Sequence, residues 1–219
     1  IRDGMMHSPR LVMAKADAHS SAASDEMSTQ LLTGGTGGIG LVTAGWLVEA
    51  GRSSHIVLAS RSGLMPVGES EHLRARGSAL VTVHRCDVAQ QAEARKLTAK
   101  MQHSLPPLSG VWHTAGVLAD ALLAKQDASK LFRVHGAKAG GAETLHSVSA
   151  AAMLSSCVLF SSVAGLVGGA GQSNYAAANA LLDALATCRK AQGCSAASVA
   201  WGPRAEAGMA SGGAISSRT

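Results

Sequence analysis

Short, mostly apolar runs at residues 30–33, 56–59, 80–84, 110–113, 157–161 and 197–201 alternate with longer stretches at 38–50, 89–103, 138–151 and 174–192. In the longer stretches apolar positions recur at the three- and four-residue spacing of a helix face. The short runs are rich in β-branched and aliphatic residues, and they predict strands. Strand and helix taken in turn predict βαβ units, hence a doubly wound α/β fold: one parallel sheet with helices on both faces. No internal repeat of fixed period is evident. Residues 15–28, rich in Ala, Ser and Asp, show neither periodicity and read as a linker, with residues 1–14 a short piece of some other unit.

Composition narrows the classes. Apolar residues make up 47% of the 219 and charged residues 15%, a globular balance that can bury a sizeable core. The formal charge of +5 favours acidic partners, nucleic acid or a phosphate-bearing cofactor among them. Three Trp, two Phe and one Tyr, not interleaved with basic runs, make a poor platform for stacking bases, so nucleic acid is not expected as a partner. The four cysteines, Cys86, Cys157, Cys188 and Cys194, lack any paired spacing and suit a reducing compartment. Nine scattered histidines give no metal-ligand pattern. No apolar run reaches the roughly 18 residues of a membrane span, and the first residues do not read as a signal peptide. A cytoplasmic protein, or one inside an organelle such as a plastid, is the expectation.

Between the first strand and the first helix lies Thr33-Gly34-Gly35-Thr36-Gly37-Gly38-Ile39-Gly40. Such a turn lets backbone approach a pyrophosphate and aims free amides and the positive helix end at it. It could also be only a tight turn. A phosphate loop of the Gly-Lys-Ser/Thr kind is excluded, because Leu41 follows Gly40. At the end of the second strand, where a unit selective for NAD places an acid, stands Ser60-Arg61-Ser62. Arginine there suits a 2′-phosphate, so NADPH is favoured over NADH. After the third strand, Asp87 and Val88 could receive the adenine, although an acid at Asp87 also suits a helix cap. After the fourth, Ala115 and Gly116 leave room for the ribose and nicotinamide.

Taken in order, TGGTGGIG, SRSG, CDV, HTAGV and the FSSVAG…GQSNYAAAN segment resemble the short-chain dehydrogenase/reductase superfamily, and within it the ketoreductase domains of polyketide synthases. The resemblance covers about residues 29–210 and implies a Rossmann fold. Tyr175 is the single tyrosine; Ser162 ends a predicted strand, and Asn179 follows Tyr175 by one helical turn on the same face. The wider superfamily carries lysine where Asn179 stands. The ketoreductase branch exchanges the pair between two helices, which places the lysine at Lys138.

The resemblance implies that Ser162 binds the substrate carbonyl and Tyr175 protonates the forming alkoxide. Lys138 would favour ionised tyrosine and lower its pKa, while Asn179 would orient the lysine and a relay water. Singly, each has a plainer alternative: a core tyrosine, a capping serine, a surface lysine. Leu118, Asp120 and Gln172 would govern substrate and stereochemistry, with Asp120 pointing to a D-configured 3-hydroxyl, although Ala119 stands where the family has a second acid. Residues 1–14 resemble the end of a structural subdomain, and residues from Trp201 onward the start of a substrate lid, so residues 29–219 read as a catalytic domain truncated in that lid.

The implied activity is NADPH-dependent reduction of a 3-oxoacyl thioester carried by the phosphopantetheine of an acyl carrier protein, during polyketide or fatty-acid assembly. Neighbouring synthase domains would be further partners. A free-standing reductase of small ketones and a non-catalytic cofactor-binding module are the alternatives.

Overall fold

The computed structural model describes residues 27–51 and 53–202. Residues 1–14, most of the 15–28 linker, and the lid segment from Pro203 onward lie outside the described residues. Ser28, assigned to the linker above, is buried, and its carbonyl accepts from the His55 amide at 3.1 Å. The domain therefore begins at or before this residue.

The elements run β1 (Thr29–Thr33), α1 (Gly38–Glu49), β2 (His55–Ser60), α2 (Glu69–Arg76), β3 (Leu80–Arg85), α3 (Gln91–Ser104) and β4 (Leu108–His113). A 3₁₀ turn (Leu123–Lys125) leads to α4 (Ala128–His135), a π turn (Gly136–Gly140) and α5 (Gly141–Val148), then β5 (Ser156–Ser162), α6 (Ala164–Val167), α7 (Ser173–Ala191) and β6 (Ala197–Trp201). The strands form one sheet in the order β3-β2-β1-β4-β5-β6, every pair parallel. This is the doubly wound arrangement of a Rossmann fold.

The mostly apolar runs follow from burial on both faces. Leu31 packs with Val57, Leu97, Met101 and Leu145 on one side. Its neighbour Leu32 packs with Leu47, Ile56, Leu58 and Leu73 on the other. Three helices escaped the prediction: α2, α4 and the single-turn α6. In α2 only Leu73 is buried, and in α4 only Val134, so the apolar Leu131 and Phe132 of α4 face outward rather than toward the core. The helix expected from residue 138 is thus the later part of an almost continuous helical run from Ala128 to Val148, widened in its middle by the π turn.

Strand order reverses between β1 and β4, which pair directly. The crevice outside their carboxyl ends is where such sheets bind ligands.

Candidate active site

At that crevice the chain leaves β1 through Gly34, whose φ is +70° and whose added Cβ would lie 2.7 Å from the Ala115 backbone nitrogen. Only glycine lets the turn after β1 touch the turn after β4. Gly40, in the first turn of α1, would drive a Cβ to 2.4 Å from the Gly34 carbonyl oxygen. Helix and turn therefore close on each other, and α1 begins with no acidic residue in its first turn and no side-chain cap. Its amides stay free to face an anion.

A cleft of about 720 Å³ opens above this turn. It is lined by Gly34 and the 36–40 segment, by Ser60, Arg61 and Ser62, and by Asp87, Val88, Ala115 and Gly116. Ala137, beside the π turn's lysine, borders it too. Two residues expected at the cofactor do not line the cleft. Gly35 is buried against Leu58, and Thr33 is fully buried with its hydroxyl turned to His113 Nδ1 at 2.7 Å. Their place at the strand end is right, but their side-chain positions face the interior.

Asp87 borders the cleft while its Oδ1 accepts the Ala89 amide at 3.1 Å. It is not the cap of α3, which is Gln90. Ser60 Oγ accepts the Gly63 amide at 3.1 Å and fixes the turn that presents Arg61, which is itself exposed.

The second cluster lies where β5 meets α7. Lys138 rises from the π turn, 3% exposed, and its Nζ donates to the Phe160 carbonyl at 2.8 Å. That ammonium lies 5.2 Å from the centroid of the Tyr175 ring, within cation–π reach. Asn179 is fully buried; its Nδ2 donates to the Tyr175 carbonyl at 2.8 Å, and its Oδ1 has no hydrogen-bond partner. Ser162 Oγ accepts the Ala164 amide at 3.2 Å.

Burial pushes the Tyr175 phenol above its ordinary 10; hydrogen bonding from Asn179 and Ser162 pulls it down, and the Asp120 charge pushes it up. This corrects the expectation of a tyrosine lowered by Lys138: in the free domain the phenol stays protonated. Desolvation outweighs those hydrogen bonds. Burial also takes Lys138 from 10.5 down to about 8, opposed by Asp183, so the ammonium stays mostly charged at neutral pH.

The loops over this cluster are joined. Gln172 Nε2 donates to Asp120 Oδ2 at 3.0 Å, Asn174 Nδ2 to the Ala119 carbonyl at 2.9 Å, and the Ala121 amide to the Gly171 carbonyl at 2.9 Å. Asp120 and Gln172 thus meet, while Leu118 is half-buried. Two residues of the cluster were given no role of their own by the sequence. His113 is a polar residue closing an apolar strand. Asp183 is an acid two turns after Tyr175 in an Ala- and Leu-rich helix, and its Oδ1 accepts from Ser198 Oγ at 2.5 Å.

The sequence model of the KR domain matches residues 28–206. The chain belongs to the KR-domain family. This KR domain is 37% identical over 216 residues to naringenin synthase of Pestalotiopsis fici, which covers 97% of this chain and 8% of that protein. It is 44% identical over 183 residues to the spectinabilin polyketide synthase system protein NorB of Streptomyces orinoci, again 8% of that protein and 81% of this chain. A solved A1-type ketoreductase superposes with a TM-score of 0.80 at 40% identity, over 91% of this chain and 42% of that one. The KR domain therefore spans a small part of its curated relatives and less than half of the solved ketoreductase. Among the described residues, no helix is long and apolar enough to cross a membrane, and no group of metal-ligating side chains occurs.

Proposed function

We propose that this KR domain reduces a 3-oxoacyl thioester, carried on an acyl carrier protein, to the 3-hydroxyacyl thioester with NADPH. The observation that carries the reading is the meeting of Lys138 and Tyr175 from separate helices beside a glycine-walled cleft. The cleft suits a dinucleotide: Gly34 and the 36–40 turn line it with little side-chain bulk, and α1 opens there without an acid or a side-chain cap. The 34–40 turn and the α1 amides would hold the pyrophosphate, Arg61 the 2′-phosphate, Asp87 the adenine end, and Ala115 and Gly116 the nicotinamide end. When bound, NADPH supplies the hydride.

The chain's own residues supply the rest. Ser162 donates a hydrogen bond to the ketone oxygen and fixes its direction. Tyr175, kept protonated by burial, gives its proton to that oxygen as charge develops there. Lys138 then steadies the phenolate left behind, and its pKa, drawn down to about 8, brings it within reach of passing a proton onward. Asn179 Oδ1 offers the acceptor that a relay water needs. Asp120, held by Gln172, directs the chain toward a D-configured product.

The relatives are polyketide synthases, which supports a carrier-bound substrate in polyketide assembly over fatty-acid assembly or a free small ketone. Neighbouring synthase domains would then be its partners. Full presence of the four polar side chains speaks against a purely structural module. The test is turnover of a 3-oxoacyl chain on carrier protein against the same chain on a small thiol. The reading expects a higher kcat/KM with the carrier; equal values favour a free-standing reductase, and no turnover of either favours a non-catalytic module.

A further inference from the structure

We propose that His113 is a positioning residue for Lys138, an imidazole strut between the strand that launches the glycine turn and the π turn that carries the lysine. The inference rests on the reading of Lys138 given above. His113 closes β4 and has no exposed surface. Its Nδ1 lies 2.7 Å from Thr33 Oγ1, on β1, and its Nε2 lies 2.8 Å from the Lys138 carbonyl oxygen.

The proton can be placed by elimination. A carbonyl oxygen only accepts, so Nε2 carries the hydrogen and donates to Lys138; Nδ1 is left to accept from the Thr33 hydroxyl. Burial, and next the Lys138 charge, lower the imidazole to about 4, so the ring is neutral throughout the working range. A neutral ring has one hydrogen, and both of its nitrogens are used.

Packing agrees with this. The Gly141 amide donates to the Gly136 carbonyl across the widened turn, the five-residue step of a π helix, and shares the Lys138 carbonyl with His113 Nε2. A Cβ at Gly141 would meet His113 Cε1 at 3.0 Å and Val88 Cγ2 at 2.9 Å. The turn is thus drawn against the imidazole as closely as glycine permits. Lys138 is held at two points: its carbonyl by His113 on β4 and its ammonium by the Phe160 carbonyl on β5.

The ionisable groups facing Lys138 are Tyr175 and Asp183 from α7 and His113 from β4. Because His113 is uncharged above about pH 6, replacing it with a neutral amide changes no charge near the lysine. Any movement of the Lys138 titration then reports its position.

The test uses the full chain. Asn at position 113 can imitate Nδ1 and keep the Thr33 bond; Gln can imitate Nε2 and keep the bond to Lys138. NMR of the lysine side chain, titrated without cofactor, should show Lys138 of His113→Asn returning toward its ordinary value by about one unit or more, with His113→Gln near the parent. In turnover, His113→Asn should lower kcat about tenfold or more, with NADPH Kd changed less than about threefold, and His113→Gln should recover most of the loss. Thr33→Val, which frees Nδ1, is the second route should His113→Asn not fold, and it should move the Lys138 titration in the same direction.

An unchanged Lys138 titration in folded His113→Asn or Thr33→Val overturns the inference. So does an equal loss of kcat in the Asn and Gln variants, tracking only their melting temperatures. Lys138→Met separates the two layers. Parental turnover in that variant removes the catalytic reading itself, and the strut's purpose with it. Lost turnover in Lys138→Met, with the Asn and Gln variants alike, removes the strut alone.

Discussion

Lys138 Nζ stands 5.2 Å from the centre of the Tyr175 ring, yet the lysine hangs from a π turn and the tyrosine from the first turn of α7. Nothing local in the sequence joins them. The sheet does: β4 and β5 are adjacent and parallel, His113 at the end of one holds the lysine's carbonyl, and Phe160 near the end of the other holds its ammonium.

Burying that ammonium costs stability, and the pH dependence follows from its sign. The folded lysine titrates near 8 against an ordinary 10.5. Between those values the unfolded chain binds more protons, so stability rises with pH across this window; the penalty is complete below 8 and gone above 10.5. Relative to Lys138→Met, the parent should gain about 3 kcal/mol in total over that range. Denaturant unfolding of both chains at pH 7 and pH 10 measures the difference; a gap that does not change with pH contradicts the buried-lysine account.

Arg61 is exposed at the cleft end, with its flanking turn fixed through Ser60. Loss of a charge-assisted contact to phosphate is worth about 1.5–3 kcal/mol. Arg61→Ala should therefore weaken NADPH binding roughly 10- to 100-fold and leave NADH nearly unchanged. Fluorescence titration with both nucleotides decides it, and equal weakening of the two would remove the 2′-phosphate role.

Gly34→Ala should damage fold and site together. The position has φ +70° and no room for a Cβ against Ala115. Left-handed backbone alone costs about 1–2 kcal/mol for an alanine, and the clash adds to it. A lowered unfolding midpoint with weakened NADPH binding is expected, whereas Gly51→Ala, where a Cβ meets nothing, should lose only the backbone part and keep its cofactor affinity.

Much of the sheet was legible because central strands buried on both faces must be apolar without interruption, as in Leu31 and Leu32. The three missed helices gave weaker signals: α2 is mostly polar around Leu73, α4 leaves Leu131 and Phe132 exposed, and α6 is a single turn. The π turn left no mark on the periodicity; it shows only in packing, where Gly141 lets the chain press on His113. At the site, Tyr175, Ser162 and Asn179 could be placed by spacing, but Lys138 came only through resemblance, since its proximity is created by the fold. The direction of the tyrosine's pKa was beyond reach altogether. It depends on how deeply the phenol and its lysine are buried, and burial is a property of packing.

The proton-donor role of Tyr175 is the centre of the account, and turnover of Tyr175→Phe under saturating NADPH and 3-oxoacyl thioester tests it most directly. A positioned proton donor contributes about 10²–10⁴-fold in rate, so kcat should fall by about that factor while the NADPH Kd stays within about twofold of the parent. A Phe variant that binds NADPH normally and reduces the ketone at near-parental rate would contradict it.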